Sequence, residues 1–147
     1  MNAARETVVI LGDFDYEYPR EKSLRDGLER FGFRVRECRY REDPLFIGVK
    51  KLLLLPYIYV VLWLRMRELV GDDPEVEAIV VTKFNPLLLP FAAWYARRLD
   101  ALLVYDLFVS LYRTVKLRGL PWPVVKLVYA IERATLPLAD LLLTETE

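Results

Sequence analysis

Asp106 opens the densest run of reactive side chains in the sequence, DLFVSLYRT, in which Ser110, Tyr112 and Thr114 follow at short intervals. A carboxylate near hydroxyl groups can orient a polar ligand and take its proton, which makes Asp106 the candidate catalytic residue. As a structural residue it would instead cap the helix that follows. Asp13-Phe14-Asp15 is the second acidic grouping. Two carboxylates so spaced can hold Mg²⁺ or divide the roles of nucleophile and acid; the alternative is a solvated acidic loop. Arg20, just past Tyr18-Pro19, can grip a phosphate or carboxylate with its two-pronged guanidinium at a helix start, or else pair with Glu17 or Glu21. Asn85-Pro86 reads as the cap and first position of another helix.

These groups need a scaffold that gathers them at one edge, and the hydrophobic pattern predicts one. Thr7–Leu11 and Ala101–Tyr105 are short apolar runs of the kind that form central strands covered on both faces. Ala78–Thr82 and Asp140–Thr144 read as further strands, and the alternating FRVRECRY of Phe33–Tyr40 as a strand near a sheet edge, where its arginines meet water. Between them the spacing predicts helices from about Arg20 to Gly32, from Phe46 to Val70 with Pro56 kinking or splitting it, from Pro86 to Leu99, and from Pro123 to Leu138. In the last of these, Val124, Leu127, Val128, Ile131, Thr135 and Leu138 make an apolar stripe expected in the core. Strands alternating with helices give a three-layer α/β domain around a parallel sheet of about five strands. The expected order is 3-2-1-4-5. Its reversal would fall between strands one and four, so the loops Gly12–Pro19 and Asp106–Arg118 would flank a ligand crevice.

Composition removes several chemistries. The 147 residues contain no histidine, which excludes Ser-His-Asp and Cys-His nucleophiles and every His-containing metal site. Cys38 is the single cysteine; no disulfide can close within the chain, and a buried, inert thiol is expected. An apolar content of 54% excludes a disordered chain. Lys+Arg and Asp+Glu balance at 21 each, so no overall field draws in nucleic acid, and none is expected as a partner. The first turn lacks G-x-G-x-x-G and no Walker A sequence appears, so no dinucleotide or nucleoside triphosphate is expected in this domain. MNAARET does not read as a signal peptide. Leu52–Leu64 is shorter than the roughly 20 residues of a spanning helix. A cytoplasmic setting is expected, with peripheral attachment at the cytoplasmic membrane.

From Leu107 to Ile131 there is no acidic residue. Arg113, Lys116, Arg118 and Lys126 lie there among Phe108, Tyr112, Leu120, Trp122 and Tyr129. Such a surface can rest on anionic lipid headgroups or on a partner, or its apolar members can be core and its basic ones solvated.

The stretches VVILGDFDYEYPR, NPLLLPFAAWYARRL, DLFVSLYRT and ADLLLTET together resemble the amino-terminal half of two-domain, retaining glycosyltransferases of the GT-B fold, the group 1 class. The resemblance covers nearly the whole chain. It departs at the first loop, which lacks a glycine pair, and at Arg113, where an aspartate is expected. It implies a Rossmann-like domain that holds the acceptor, with the nucleotide sugar on a second, carboxyl-terminal domain and no cofactor or metal on this one. Acceptor contacts would fall on Asp13, Arg20, Asn85, Asp106, Ser110 and Tyr112. The expected function is the acceptor-binding half of an enzyme that moves a sugar from a nucleotide donor to a lipid-linked or glycan hydroxyl. Asp106 and Asp13 would orient that hydroxyl, and Arg20 or Arg113 would meet an acceptor phosphate. A classical six-stranded sheet needs more chain than this, so half of a larger enzyme is expected. Two other readings stay open: a non-catalytic module docking on a membrane or partner, and a Mg²⁺-dependent phosphatase built on Asp13 and Asp15.

Overall fold

The computed structural model describes residues 6–12, 19–40, 53–72, 75–82 and 85–144. In chain order these give β1 (Thr7–Gly12), α1 (Pro19–Arg30), β2 (Arg34–Arg39), α2 (Leu55–Asp72), β3 (Val76–Val81), a 3-10 turn (Pro86–Leu88) running into α3 (Leu89–Leu99), β4 (Leu102–Asp106), α4 (Leu111–Leu117), α5 (Trp122–Thr135), a second 3-10 turn (Leu136–Leu138) and β5 (Leu141–Leu143). All strand pairs are parallel, and the architecture is a Rossmann-like three-layer α/β sheet.

The observed order is β2-β1-β3-β4-β5, which corrects the expected 3-2-1-4-5. The reason lies in β3. Apart from Glu77, every residue of VEAIVV is buried, so this strand needs a neighbour on each side and cannot be the edge. β2 takes the edge instead, as its arginines require: Arg34 is exposed and only Cys38 is buried. The reversal therefore falls between β1 and β3, which corrects the expectation that the Asp106–Arg118 loop flanks it: β4 lies one strand away, beside β3 and β5.

Two apolar layers enclose the sheet. On one side Val9, Leu11, Ile79, Val81, Leu103 and Tyr105 meet Ile58, Leu62 and Met66 of α2 and Phe91, Ala92 and Ala96 of α3, with Leu136 and Leu138 packed at the margin. On the other, Val8, Ile10, Ala78, Val80 and Val104 meet Leu24 and Leu28 of α1. Alternation along each strand sends successive side chains to opposite layers, which is why the central strands are apolar throughout. α1 ends in a left-handed closure at Gly32 (φ 95°) with Phe33 N–H donating to Leu28 O at 3.1 Å, a backbone state that favours glycine.

The expected interruption at Pro56 is seen: Leu53 is helical, Leu54 is a turn, and α2 starts afresh at Leu55 with Pro56 as its second residue, where a missing N–H costs nothing; residues 41–52 lie outside the described segments. One expectation needs correcting: the apolar stripe of α5 is less buried than expected. Only Glu132 and Thr135 of α5 are buried, while Val124 is 37% and Leu127 51% exposed. α5 packs on α4 and on Pro86–Leu88, so its first turns stand clear of the sheet core.

Candidate functional site

Parallel strands end at a common edge, and β4 ends in Asp106, buried at 1% exposure. α1 begins with Pro19, which puts Arg20 in its first turn. The two side chains meet across this edge. Arg20 Nη2 donates to Asp106 Oδ1 at 2.7 Å, and Nε lies 3.1 Å from Oδ1 and 3.2 Å from Oδ2. The Asp106 side chain is 2% exposed and that of Arg20 25%. Phe108 backs the guanidinium, with Cζ 5.0 Å from its ring centroid. The structure thus joins two residues that the sequence placed at separate loops, and it gives Arg20 a partner other than Glu17 or Glu21. Two N–H groups facing one carboxylate make a charge-assisted fork, directional as well as strong.

Asp106 is not the cap of the next helix. Ser110 is: its hydroxyl accepts from Arg113 N–H at 3.2 Å. The same hydroxyl donates to Glu132 Oε2 at 2.8 Å, and Glu132 also accepts from Leu111 N–H at 2.7 Å and Tyr112 N–H at 2.9 Å. A carboxylate on α5 therefore satisfies the open N–H groups at the start of α4. Sequence reasoning missed Glu132, although it stands at helical spacing among Val128, Ile131 and Thr135, where a polar residue has to be paired. Tyr112 turns its ring to Tyr129, 5.0 Å between centroids, with Lys116 Nζ 5.8 Å from its centroid.

Asn85 sits at the reversal and is fully buried. Its amide donates to Thr82 Oγ1 at 3.1 Å and to Thr82 O at 3.4 Å, and makes no side-chain cap to the helix it precedes. Gly12 closes against the same cluster at φ 145°, where an added Cβ would lie 2.2 Å from Thr82 Oγ1. Beneath it Tyr105 is buried, and burial pushes its phenol up. Asp13 lies outside the described residues. Arg113, Lys116, Arg118, Trp122 and Lys126 are all exposed on α4, on α5 or between them. Cys38 is buried against Leu62 O at 3.8 Å, and burial pushes its thiol up to about 12 despite Arg65 nearby. It is inert, as expected.

No family model, curated protein or solved structure matches this chain.

Proposed function

We propose that this chain is the acceptor-side domain of a nucleotide-sugar-dependent glycosyltransferase, and that Arg20 is the group that meets the acceptor. The observation behind this reading is the Arg20–Asp106 fork at the carboxyl edge of the sheet, backed by Phe108. Ligands of open parallel sheets gather outside that edge near the reversal; Arg20, on the helix that follows β1, reaches from the reversal to Asp106 at the end of β4, one strand beyond it. Of the pair, Arg20 is the one water reaches. Asp106 therefore acts as a positioning residue: it fixes the plane of the guanidinium, and the part-exposed Arg20 places its positive charge where an acceptor phosphate or hydroxyl would approach. Glu132, by holding the start of α4, fixes the segment from Ser110 to Tyr112 that follows the fork. The nucleotide sugar and the charge of its departing diphosphate belong to a second lobe.

The test is a ligand titration followed by amide NMR on the chain, with an alkyl phosphate and an alkyl glycoside as probes. Shifts should centre on Arg20 and on residues Asp106 to Ser110, and Arg20→Met should abolish them while the spectrum stays folded. Shifts that map elsewhere, or their absence, overturn the reading. Sugar transfer by the chain without a second lobe would overturn the division of labour.

A further inference from the structure

α2 is apolar on two opposite faces. Ile58, Leu62 and Met66 are buried in the sheet core. Away from the core, Leu53, in the turn that leads into α2, is 76% exposed, and Tyr57, Val60 and Leu64 are 64%, 56% and 53% exposed. These four are spaced by four, three and four residues, the repeat by which one helix packs along another. No charged residue occurs from Leu53 to Leu64, and Arg67 takes the next place in the repeat and ends it. Beside the stripe a groove of about 260 Å³ runs between α2 and α3, lined by Tyr59, Val60, Trp63, Phe91 and Trp94. Trp63 is 41% and Trp94 48% exposed. Arg67 and Arg98 lie over those two indoles, with Cζ 5.6 and 5.4 Å from the ring centroids. The patch has an apolar middle and a cationic margin, the layout of a protein interface.

A helix with apolar residues on opposite faces needs cover on both. The spacing says what kind. A lipid surface makes no demand for a four-three repeat; a second helix does. The composition says which helix. Helix partners are told apart by charges beside the seam or by an Asn or Lys within it, and from Leu53 to Leu64 there is neither. The seam also matches itself. When two copies of α2 run antiparallel about a two-fold axis, Leu53 faces Leu64 of the second copy and Tyr57 faces its Val60, because both pairs share one midpoint. A parallel pairing would set Arg67 against its own counterpart, a like-charge contact. At about 200 Å² per large side chain, the exposed fractions of these four residues, Trp63 and Trp94 come to roughly 700 Å² per copy, within the range of about 600–1,000 Å² per partner in stable interfaces. We propose that the chain forms a two-fold dimer through the outer face of α2, with the two helices antiparallel and the tryptophan groove at the margin. The proposal is independent of the acceptor reading, because α1 and the Arg20–Asp106 fork take no part in it.

The experiment is sedimentation velocity of the chain across the micromolar range, where monomer should pass to dimer. Leu64→Glu puts a lone carboxylate against Leu53 of the second copy and should raise the dissociation constant about a hundredfold or more. Leu53→Lys should do the same from the other end of the seam. Carried together in one chain, these two changes face each other across the dimer, and association should recover by about tenfold or more over either alone. Leu53→Lys with Val60→Glu, whose positions do not meet, should not recover. All three positions are exposed, so far-ultraviolet circular dichroism should match the unaltered chain throughout. None of the variants should alter the alkyl-phosphate shifts at Arg20, so the two proposals fail separately. A chain that stays monomeric overturns this one, whether it then binds phosphatidylcholine vesicles or nothing. So does a dimer indifferent to Leu64→Glu, and so do double variants that recover equally or not at all.

Discussion

The unequal burial of Arg20 and Asp106 makes a quantitative prediction. Replacing Arg20 by Met keeps most of the aliphatic stem but leaves the Asp106 carboxylate, at 2% side-chain exposure, without its fork. Replacing Asp106 by Asn leaves a guanidinium that is 25% exposed and can turn toward water. Breaking a fully buried pair by removing one partner costs about 3–5 kcal/mol. Arg20→Met should sit at the lower end of that range, about 3 kcal/mol, and Asp106→Asn well below it, about 1–2 kcal/mol because solvent reaches the guanidinium that remains. The double variant leaves neither charge stranded, so the pair should be non-additive by about 1.5–3 kcal/mol.

Urea unfolding at neutral pH, followed by circular dichroism with unchanged slope, gives the three differences directly. In thermal melts, a chain of this size loses about 2–4 °C per kcal/mol, so Arg20→Met should melt about 6–12 °C low. If Asp106→Asn costs as much as Arg20→Met, or if the two add without coupling, the burial argument is wrong. The fork would then be a surface ion pair of little consequence.

Other positions give sharper or simpler tests. Gly12→Ala meets both a positive φ and an oxygen 2.2 Å away; it should destabilise by more than about 2 kcal/mol, and Thr82→Ala in the same chain should restore only part of that, since the backbone strain remains. Glu132→Gln trades one of two accepting oxygens for a donor facing N–H groups; it should cost about 2 kcal/mol, and the Leu111 and Tyr112 amides should lose protection from hydrogen exchange before the rest of the domain. Cys38, held up to about 12 when folded and free to ionise near 9 when unfolded, favours the folded state fully below pH 9. Stability should therefore fall as pH rises from about 9 toward 12, and Cys38→Ser should lessen that slope between about 9 and 10, the burial-raised phenols of Tyr59, Tyr95 and Tyr105 carrying the rest above 10. At neutral pH its alkylation rate should track global opening alone.

Much of the fold was legible because buried parallel strands carry their signature in four or five consecutive residues. TVVIL, AIVVT and ALLVY each announce a position with cover on both faces. What those runs do not carry is neighbour order. The apolar run of β3 marks a strand, but that it is covered by a strand on each side is a tertiary fact, whereas the arginines of β2 tolerate a single neighbour. Asp106 and Arg20 were each recognisable from residue type and place at an element end. Their pairing was not, because it joins residues 86 positions apart, and local sequence holds no term for such a contact.

Glu132 and the tryptophans show two different reasons for a missed feature. Glu132 looked like an interruption of an apolar stripe, and its function depends on α4 turning its open N–H groups toward that point, which only the tertiary packing of two helices decides. Trp63 with Arg67 and Trp94 with Arg98, whose cations lie over the indole rings, fail for the opposite reason, whereas Trp122 and Lys126 read as surface from the sequence. W-x-x-x-R and W-x-x-x-K recur in plain view at residues 63, 94 and 122, and helical spacing alone puts ring and cation together. Indoles in apolar helices are normally core, however, so the pattern has no weight until the outward face is known. α2 and α3 commit Ile58, Leu62, Met66 and Ala92 to the sheet. A helix has one inward stripe, and those residues fill it. Trp63 and Trp94 then have only the groove between helices and the solvent beyond it, so the packing that buries small and aliphatic residues is also what presents the indoles outward with their charges.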